Sequence, residues 1–484
     1  MKKLSYFLLL CLLPACTKNF DEINTNPNAP TTATPDQLLP QIVRDAMNAL
    51  LDETFRVGSL VIQHTAKNRN VNEDRYLWGE RNTIWNAVYD NMRDVNNIIA
   101  QSEEKGQNNY LGIALILKSW LFSLATDCYG DLPYFDASKT KEGVNFPKYD
   151  PQEAIYEAIL SDLVKANAIL GTSEEKVRGD VIFNGNFKKW RRLANSLRIR
   201  YLMRISKKKD VSLQLQQIIA QPDSFPIFLN NADNAVFDYL ATPPDQFPFY
   251  QINLGTFNDF RASKGLLDLM AELDDERLPV FFRPTPATEG TPMPDYAGIP
   301  NGLSDPEALA YNGGVDFQSR IGTLFYEASI TQSGLSVAKG VLMTFAELQF
   351  LLAEAAEQGY ISGNAGGFYN NGIRASYEFY GLSGAEAYLS QVTVAYTGVK
   401  EEKLKKIALQ KWIALYFQGL EAWFDWRRTA QPDLLPAASN QNDDRIPLRF
   451  PYPLSEQKLN AANYQSAIQR QGMDDINTKI WYLK

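Results

Sequence analysis

Apolar residues recur every three or four positions through long stretches of this chain, and that spacing constrains the fold more than any other feature. Between residues 85 and 99 the recurring apolar positions lie on one face of an α-helix. They are Trp85, Val88, Tyr89, Met92, Val95, Ile98 and Ile99. Residues 111–125 are apolar almost all round, which predicts a helix buried between others. The same spacing predicts helices at 154–170, 190–205, 341–360, 365–380 and 403–419.

These predicted helices fall into pairs at roughly 83–128, 151–206 and 342–380. Helix–turn–helix pairs of this size are typical of tetratricopeptide-like stacking, whose repeat is about 34 residues. We therefore predict a mainly α fold in which helix pairs form a curved superhelical frame. An N-terminal helical part (36–221) and a C-terminal helical part (341–484) would pack together as one domain.

Residues 222–340 have a different composition from this frame. Proline is frequent there, at 243, 244, 248, 284, 286, 292, 294 and 300. Helix signals are short, and the best of them covers 265–273. Long loop-rich segments within compact proteins are usually functional. We predict an inserted loop-rich module carried by the helical frame.

The first residues predict export. Lys2 and Lys3 precede an apolar stretch at 4–13, and Pro14-Ala15-Cys16 follows. This order is typical of a signal peptide over residues 1–15. The cysteine after a small residue resembles a bacterial lipobox, so Cys16 is the predicted lipidation site. A plain secreted protein is the alternative. Residues 16–35 are rich in Asn, Thr and Pro, which excludes a continuous helix and predicts a tether or an ordered arm.

Charge and motif content argue against several function classes. A formal net charge of −8 makes the chain a poor partner for nucleic acid. His64 is the only histidine, which excludes a metal site built from several histidines of one chain. His64 itself is predicted to lie on a helix face. No nucleophile-elbow, P-loop or EF-hand motif is present. We predict no metal, no cofactor and no enzymatic activity, with a two-carboxylate glycoside hydrolase as a remaining alternative. Cys128 is predicted to pack as a small apolar residue.

Several segments, in order along nearly the whole chain, resemble the SusD/RagB family of outer-membrane lipoproteins. They are FDEINTNPNAP (20–30), SWLFSLATDCYGDLPY (119–134), GNFKKWRRLANSLRIRYLMRIS (185–206), LMTFAELQFLLAEAAEQGY (342–360), QKWIALYFQGLEAWFDWRRT (410–429) and RFPYPLSEQKLNAANY (449–464). Residues 222–340 carry the least resemblance.

The resemblance implies a non-enzymatic lipoprotein exposed at the surface of the outer membrane. It would bind a glycan or oligosaccharide nutrient and deliver it to a TonB-dependent barrel transporter, on which it acts as a lid. Some branches of the family take peptides, so a peptide ligand stays open. The loop-rich module would face both ligand and transporter. An interaction scaffold without a small ligand is a further alternative.

Aromatic residues in polar, non-periodic surroundings are the best candidates for sugar contacts. Sugars lay their C–H faces on aromatic rings, while nearby amides and charged groups bind the hydroxyls. One candidate group lies between two predicted helices: Tyr76 and Trp78, with Asn72, Asp74 and Arg81 as hydrogen-bonding partners. The other lies in the loop-rich module: Phe249, Tyr250, Tyr296 and Tyr311. Packing of loops on the frame is the alternative for each.

One carboxylate lies in an otherwise apolar stretch. Glu354 is surrounded by Leu352, Ala353, Ala355 and Ala356. Buried charges are usually paired, so Glu354 is predicted to bind an arginine. The candidates are Arg198, Arg200, Arg427 and Arg428.

Overall fold

The computed structural model describes residues 33–240, 243–249, 256–322, 324 and 335–484. The predicted signal peptide, Cys16, most of the predicted arm and Tyr250 lie outside the described residues. Apart from a single helical turn at Ser59–Val61, the α-helices are α1 (Pro35–Glu53), α2 (Thr83–Lys105), α3 (Asn108–Tyr129), α4 (Gln152–Ile169), α5 (Phe187–Ile205), α6 (Ser212–Ala220), α7 (Lys264–Glu272), α8 (Leu278–Phe281), α9 (Asp305–Ala310), α10 (Phe345–Gln358), α11 (Ala365–Phe379), α12 (Ala385–Leu389), α13 (Lys400–Ala414), α14 (Gly419–Thr429), α15 (Leu454–Leu459) and α16 (Ala461–Gln471).

Helices that follow one another along the chain pack together as pairs, and each pair packs on the next. Helix α2 packs between α1 and α3, α3 packs on α4, and α4 packs on α5. In the C-terminal part α10 packs on α11 and α13, and it also contacts α5. The prediction of a mainly α, tetratricopeptide-like frame is confirmed.

Helix α3 forms the centre of this packing. It is long and apolar enough to cross a membrane, but 94% of its apolar window is buried inside the protein. That burial is the mark of a core helix. Cys128, near its end, is a free and buried thiol, as predicted for a small packing residue.

The segment between the two helical parts contributes short strands. Strands β1 (Thr65–Lys67) and β3 (Phe260–Ala262) pair antiparallel, with Thr65 opposite Ala262. Strands β2 (Ala235–Leu240) and β4 (Leu335–Met343) form a second antiparallel pair. The first pair ties the turn that follows α1 to residues about 200 positions later in the chain.

The predicted helix over 403–419 is wrong at its C-terminal end. Helix α13 ends at Ala414, and a separate helix α14 begins at Gly419. Phe417 between them has a φ of 67°, a left-handed conformation that ends a helix. The turn brings Gly419 against Gly58, where a Cβ on Gly58 would lie 2.7 Å from the backbone nitrogen of Leu420. Glycine is required at this contact because two backbones touch.

Glu354 is paired as predicted, and its partner is Arg428. Its two carboxylate oxygens accept hydrogen bonds from Arg428 at 2.5 and 2.6 Å, and Lys411 Nζ lies at 3.0 Å. Asp425 contacts both cations at 2.8 Å. All four side chains are buried, so two positive and two negative charges compensate each other inside the frame.

His64 lies in the turn between α1 and β1, where it is fully buried. The prediction of a helix-face residue is therefore wrong, because the last helical turn before it, Ser59–Val61, ends at Val61. Its Nε2–H donates to the Trp412 carbonyl at 3.0 Å. Burial lowers the pKa of His64 to about 3, although this hydrogen bond opposes the shift. The ring is therefore neutral and has a structural role.

Candidate ligand-binding pocket

A pocket of about 310 Å³ lies where the turn after α1 meets the β1–β3 pair. It combines a cluster of phenylalanines with a polar rim, which is the usual make-up of a small-molecule site. Its lining residues are Phe55, Arg56, Lys67, Asn70, Asn72, Glu73, Phe249, Phe257, Phe260 and Asp305.

The phenylalanine floor is organised around Phe55. Helix α1 continues into a π-helical turn at Thr54–Gly58, a feature that often marks functional sites. The Phe55 ring centroid lies 4.4 Å from that of Phe249, 4.6 Å from that of Phe257 and 5.1 Å from that of Phe260. Phe249 is half-buried while the other three are buried, so Phe249 is the ring of this cluster with the most exposed surface.

One wall of the pocket is formed by Lys67 on β1, whose charge is paired with Glu73. Lys67 Nζ lies 3.1 Å from Glu73 Oε2 and 5.5 Å from the centroid of the Phe260 ring. The lysine side chain is only 9% exposed. Its charge is therefore shared between a carboxylate and an aromatic face.

Asp74 lies behind this wall and holds the backbone of Lys67 in place. It is fully buried, and its carboxylate accepts hydrogen bonds from Lys67 N (3.1 Å), Gly302 N (2.9 Å) and Asn301 Nδ2 (2.7 Å). Burial raises the pKa of Asp74 to about 6, against the effect of these three bonds. Asp74 therefore joins β1 to the loop before α9, and it does not face the pocket.

Two polar side chains at the rim are free to bind a ligand. Asn72 is exposed, and its amide makes no hydrogen bond to any residue that the structure describes. Asp305 is exposed at the start of α9, and within the described ranges its carboxylate has no partner either. Asn70 instead donates from Nδ2 to Asp259 at 2.8 Å. The rim thus offers an amide and a carboxylate for hydroxyl groups.

Of the residues predicted from the sequence, the structure brings Asn72 and Phe249 together in this pocket. Tyr76 is buried, and its hydroxyl oxygen accepts a hydrogen bond from Ala437 N at 3.0 Å. Arg81 pairs with the buried Glu53 at 2.9 Å. Tyr76 and Arg81 therefore have partners in the frame.

The remaining described candidates also lie outside the pocket lining. Trp78 donates from Nε1 to the Glu73 carbonyl at 3.0 Å, and its ring packs edge-on against Trp423 and Phe450. Tyr296 and Tyr311 are half-buried in the loop-rich segment and do not line the pocket. Asp74, as shown above, supports the wall.

Sequence reasoning missed most of the lining. The residues not singled out are Phe55, Arg56, Lys67, Asn70, Glu73, Phe257, Phe260 and Asp305. A signal for Asn70 and Glu73 was present in the polar run NRNVNE at 68–73, which contains the predicted Asn72 and ends directly before the predicted Asp74. Phe55 gave no signal because it continues the apolar pattern of α1.

The buried lysine of the pocket is paired with a carboxylate, and no cluster of three metal-ligating side chains occurs in the described parts of the chain. Residues 27–453 match the SusD-like family model, described as starch-binding and associating with the outer membrane. The chain belongs to this family, whose members are binding proteins.

Solved structures show the same fold over nearly the whole chain. A SusD homologue from Bacteroides fragilis is 27% identical with a TM-score of 0.81, and the match covers 94% of this chain and 100% of that one. A chitin-binding SusD homologue from Flavobacterium johnsoniae is 25% identical with a TM-score of 0.79, covering 92% and 98%.

A protein of Bacteroides vulgatus, provisionally described as an outer membrane protein involved in nutrient binding, is 27% identical. Its TM-score is 0.79, with 93% of this chain and 100% of that chain covered. No curated protein sequence matches this chain. Family and structural relatives together point to an outer-membrane protein.

Proposed function

We propose that this protein binds a glycan nutrient in the pocket around Phe55 and passes it to a TonB-dependent transporter in the outer membrane. The observation that carries the proposal is the pocket's combination of an aromatic floor with the uncommitted Asn72 amide and Asp305 carboxylate. Rings and free hydrogen-bonding groups side by side suit a sugar, which has apolar faces and hydroxyl edges. Membership of a family described as starch-binding supports the same ligand class.

The membrane attachment belongs to the same proposal. Cys16 would carry the acyl chains, residues 16–35 would link the anchor to the frame, and the protein would be exposed at the cell surface. The loop-rich segment 222–340 contributes Phe249, Phe257, Phe260 and Asp305 to the pocket. This placement supports a role for the segment in holding ligand at the face that meets the transporter.

Affinity electrophoresis against a panel of polysaccharides, followed by calorimetry with the best ligand, tests glycan binding. Asn72→Ala is the most informative variant, because its amide makes no bond to the described protein. Its affinity is expected to fall about five- to tenfold, the effect of one lost hydrogen bond of roughly 1 kcal/mol. Asn97→Ala, an exposed amide on α2 outside the pocket, is the matched control.

The outcome also separates the alternatives. Binding of peptides with no binding of any polysaccharide would contradict the glycan proposal and favour the peptide-binding branch. Product formation from an oligosaccharide by the purified protein would contradict a purely binding role. Co-purification of a barrel transporter with the native lipoprotein from outer membranes tests delivery.

A further inference from the structure

The cationic side chains of the pocket are already compensated by carboxylates of the chain itself. Arg56 Nε lies 2.7 Å from Asp52 Oδ1, and Lys67 Nζ lies 3.1 Å from Glu73 Oε2. Arg56 and Lys67 are the only cations among the described lining residues. Neither therefore presents an unbalanced positive charge to a ligand.

Further carboxylates at the rim have no cationic partner. Asp305 has none in the described chain, and Asp259 is bonded to the neutral Asn70 amide. Counting the described lining residues and the groups bonded to their side chains, four carboxylates (Asp52, Glu73, Asp259 and Asp305) stand against two cations, Arg56 and Lys67. A ligand with its own carboxylate or sulfate would meet like charges at short range, and like-charge contacts are a common means of rejecting wrong partners.

Resting on the glycan-binding function proposed above, we propose that this pocket selects uncharged sugars over uronic acids and sulfated sugars. Asp52 and Glu73 are the residues that set this preference, because each neutralises a cation that would otherwise attract an anionic ligand. Asp305, which lines the same pocket and has no cationic partner in the described chain, strengthens the preference. An uncharged sugar loses nothing by this arrangement, since its hydroxyls still find the Asn72 amide and the Asp305 carboxylate.

The test compares one polysaccharide backbone in two forms: a neutral polysaccharide that the wild type binds, and its carboxymethylated and sulfated derivatives. The wild type is expected to bind the charged forms at least tenfold more weakly. In Asp52→Asn/Glu73→Gln the charged forms should gain affinity, so that the neutral-to-charged ratio falls several-fold. Glu103→Gln, from an exposed ion pair on the frame with Lys165, should leave the ratio unchanged.

Salt separates charge repulsion from a steric effect of the added groups. Repulsion at an exposed rim is screened by salt, so the wild-type ratio should shrink as ionic strength rises, whereas a steric ratio would stay constant. Asp305→Asn, at an exposed position of the rim, should lower the ratio on its own if the double variant is poorly folded.

Tight binding of the charged derivatives by the wild type would overturn the selection while leaving glycan binding intact. A ratio unaffected by Asp52→Asn/Glu73→Gln and by Asp305→Asn would equally overturn it. Failure to bind any polysaccharide of the panel would remove the proposed function itself, and the selection with it.

Discussion

Replacement of Glu354 by alanine is expected to cause a large loss of stability without touching the pocket. Glu354 and Asp425 together balance Arg428 and Lys411, and all four side chains are buried. Glu354→Ala leaves two buried cations facing one carboxylate. Removal of one partner from a buried ion pair costs about 3–5 kcal/mol, because the charge left behind is neither solvated nor paired.

Urea unfolding followed by circular dichroism measures this loss. The double variant Glu354→Ala/Lys411→Met removes one charge of each sign and should lose less stability than the two single variants together, by roughly 1–3 kcal/mol. Glu103→Ala provides the control, because its pair with Lys165 is about half exposed and such pairs contribute at most about 1 kcal/mol.

The pH dependence gives the reasoning a second check. Burial alone would raise the pKa of Glu354, but Arg428 and Lys411 outweigh it and hold that pKa below its ordinary value. The stabilisation is therefore complete at neutral pH and is lost as pH falls through the lowered pKa. Wild type and Glu354→Ala should converge in acid. Equal unfolding free energies for Glu354→Ala and Glu103→Ala at pH 7 would refute the argument.

Three further predictions concern other parts of the chain. His64, the single histidine, should show no titration by NMR between pH 8 and pH 5, because burial lowers its pKa to about 3; stability should fall as pH drops below about 6.5, and a midpoint near 6.5 would contradict the buried position. Gly419→Ala should lower both the melting temperature and the affinity for glycan, since a Cβ there collides with the backbone at Gly58. Wild-type values for both would show that the backbone can move to accommodate the Cβ without cost. Cys16→Ala should move the protein from the membrane fraction to the soluble fraction, and its continued recovery with membranes would argue against the lipid anchor.

The helical frame was predictable because its signal is local. A three- and four-residue spacing of apolar side chains reports which face of a helix is buried, so α2, α3, α4, α5, α10 and α11 all lie close to their predicted ranges. The break after Ala414 was not predictable from this spacing, because the apolar pattern runs through the turn at Phe417. Which of the four candidate arginines pairs with Glu354 also depends on the three-dimensional structure, because the sequence does not show that Arg428 is the one close to it.

The pocket was predictable only in part, because it is assembled across the chain. Asn72 and Phe249 stood out by their polar or non-periodic surroundings. Lys67 and Phe260 come together only through the pairing of β1 with β3. No local sequence pattern predicts that these two short strands pair. Tyr76 and Asp74 are of residue types that often bind ligands, but both are buried and hydrogen-bonded inside the protein. Residue type alone does not tell a buried side chain from one that faces a pocket.

The contact between Gly58 and Gly419 determines when the pocket can exist during biosynthesis. The turn that carries Phe55 and Arg56 packs against the backbone at Gly419, which lies more than 350 residues further along the chain. In a chain that is made from its N-terminus onwards, this turn lacks its support until more than four fifths of the residues have been added. The pocket around Phe55 is consequently completed late in synthesis, when almost the entire chain is present.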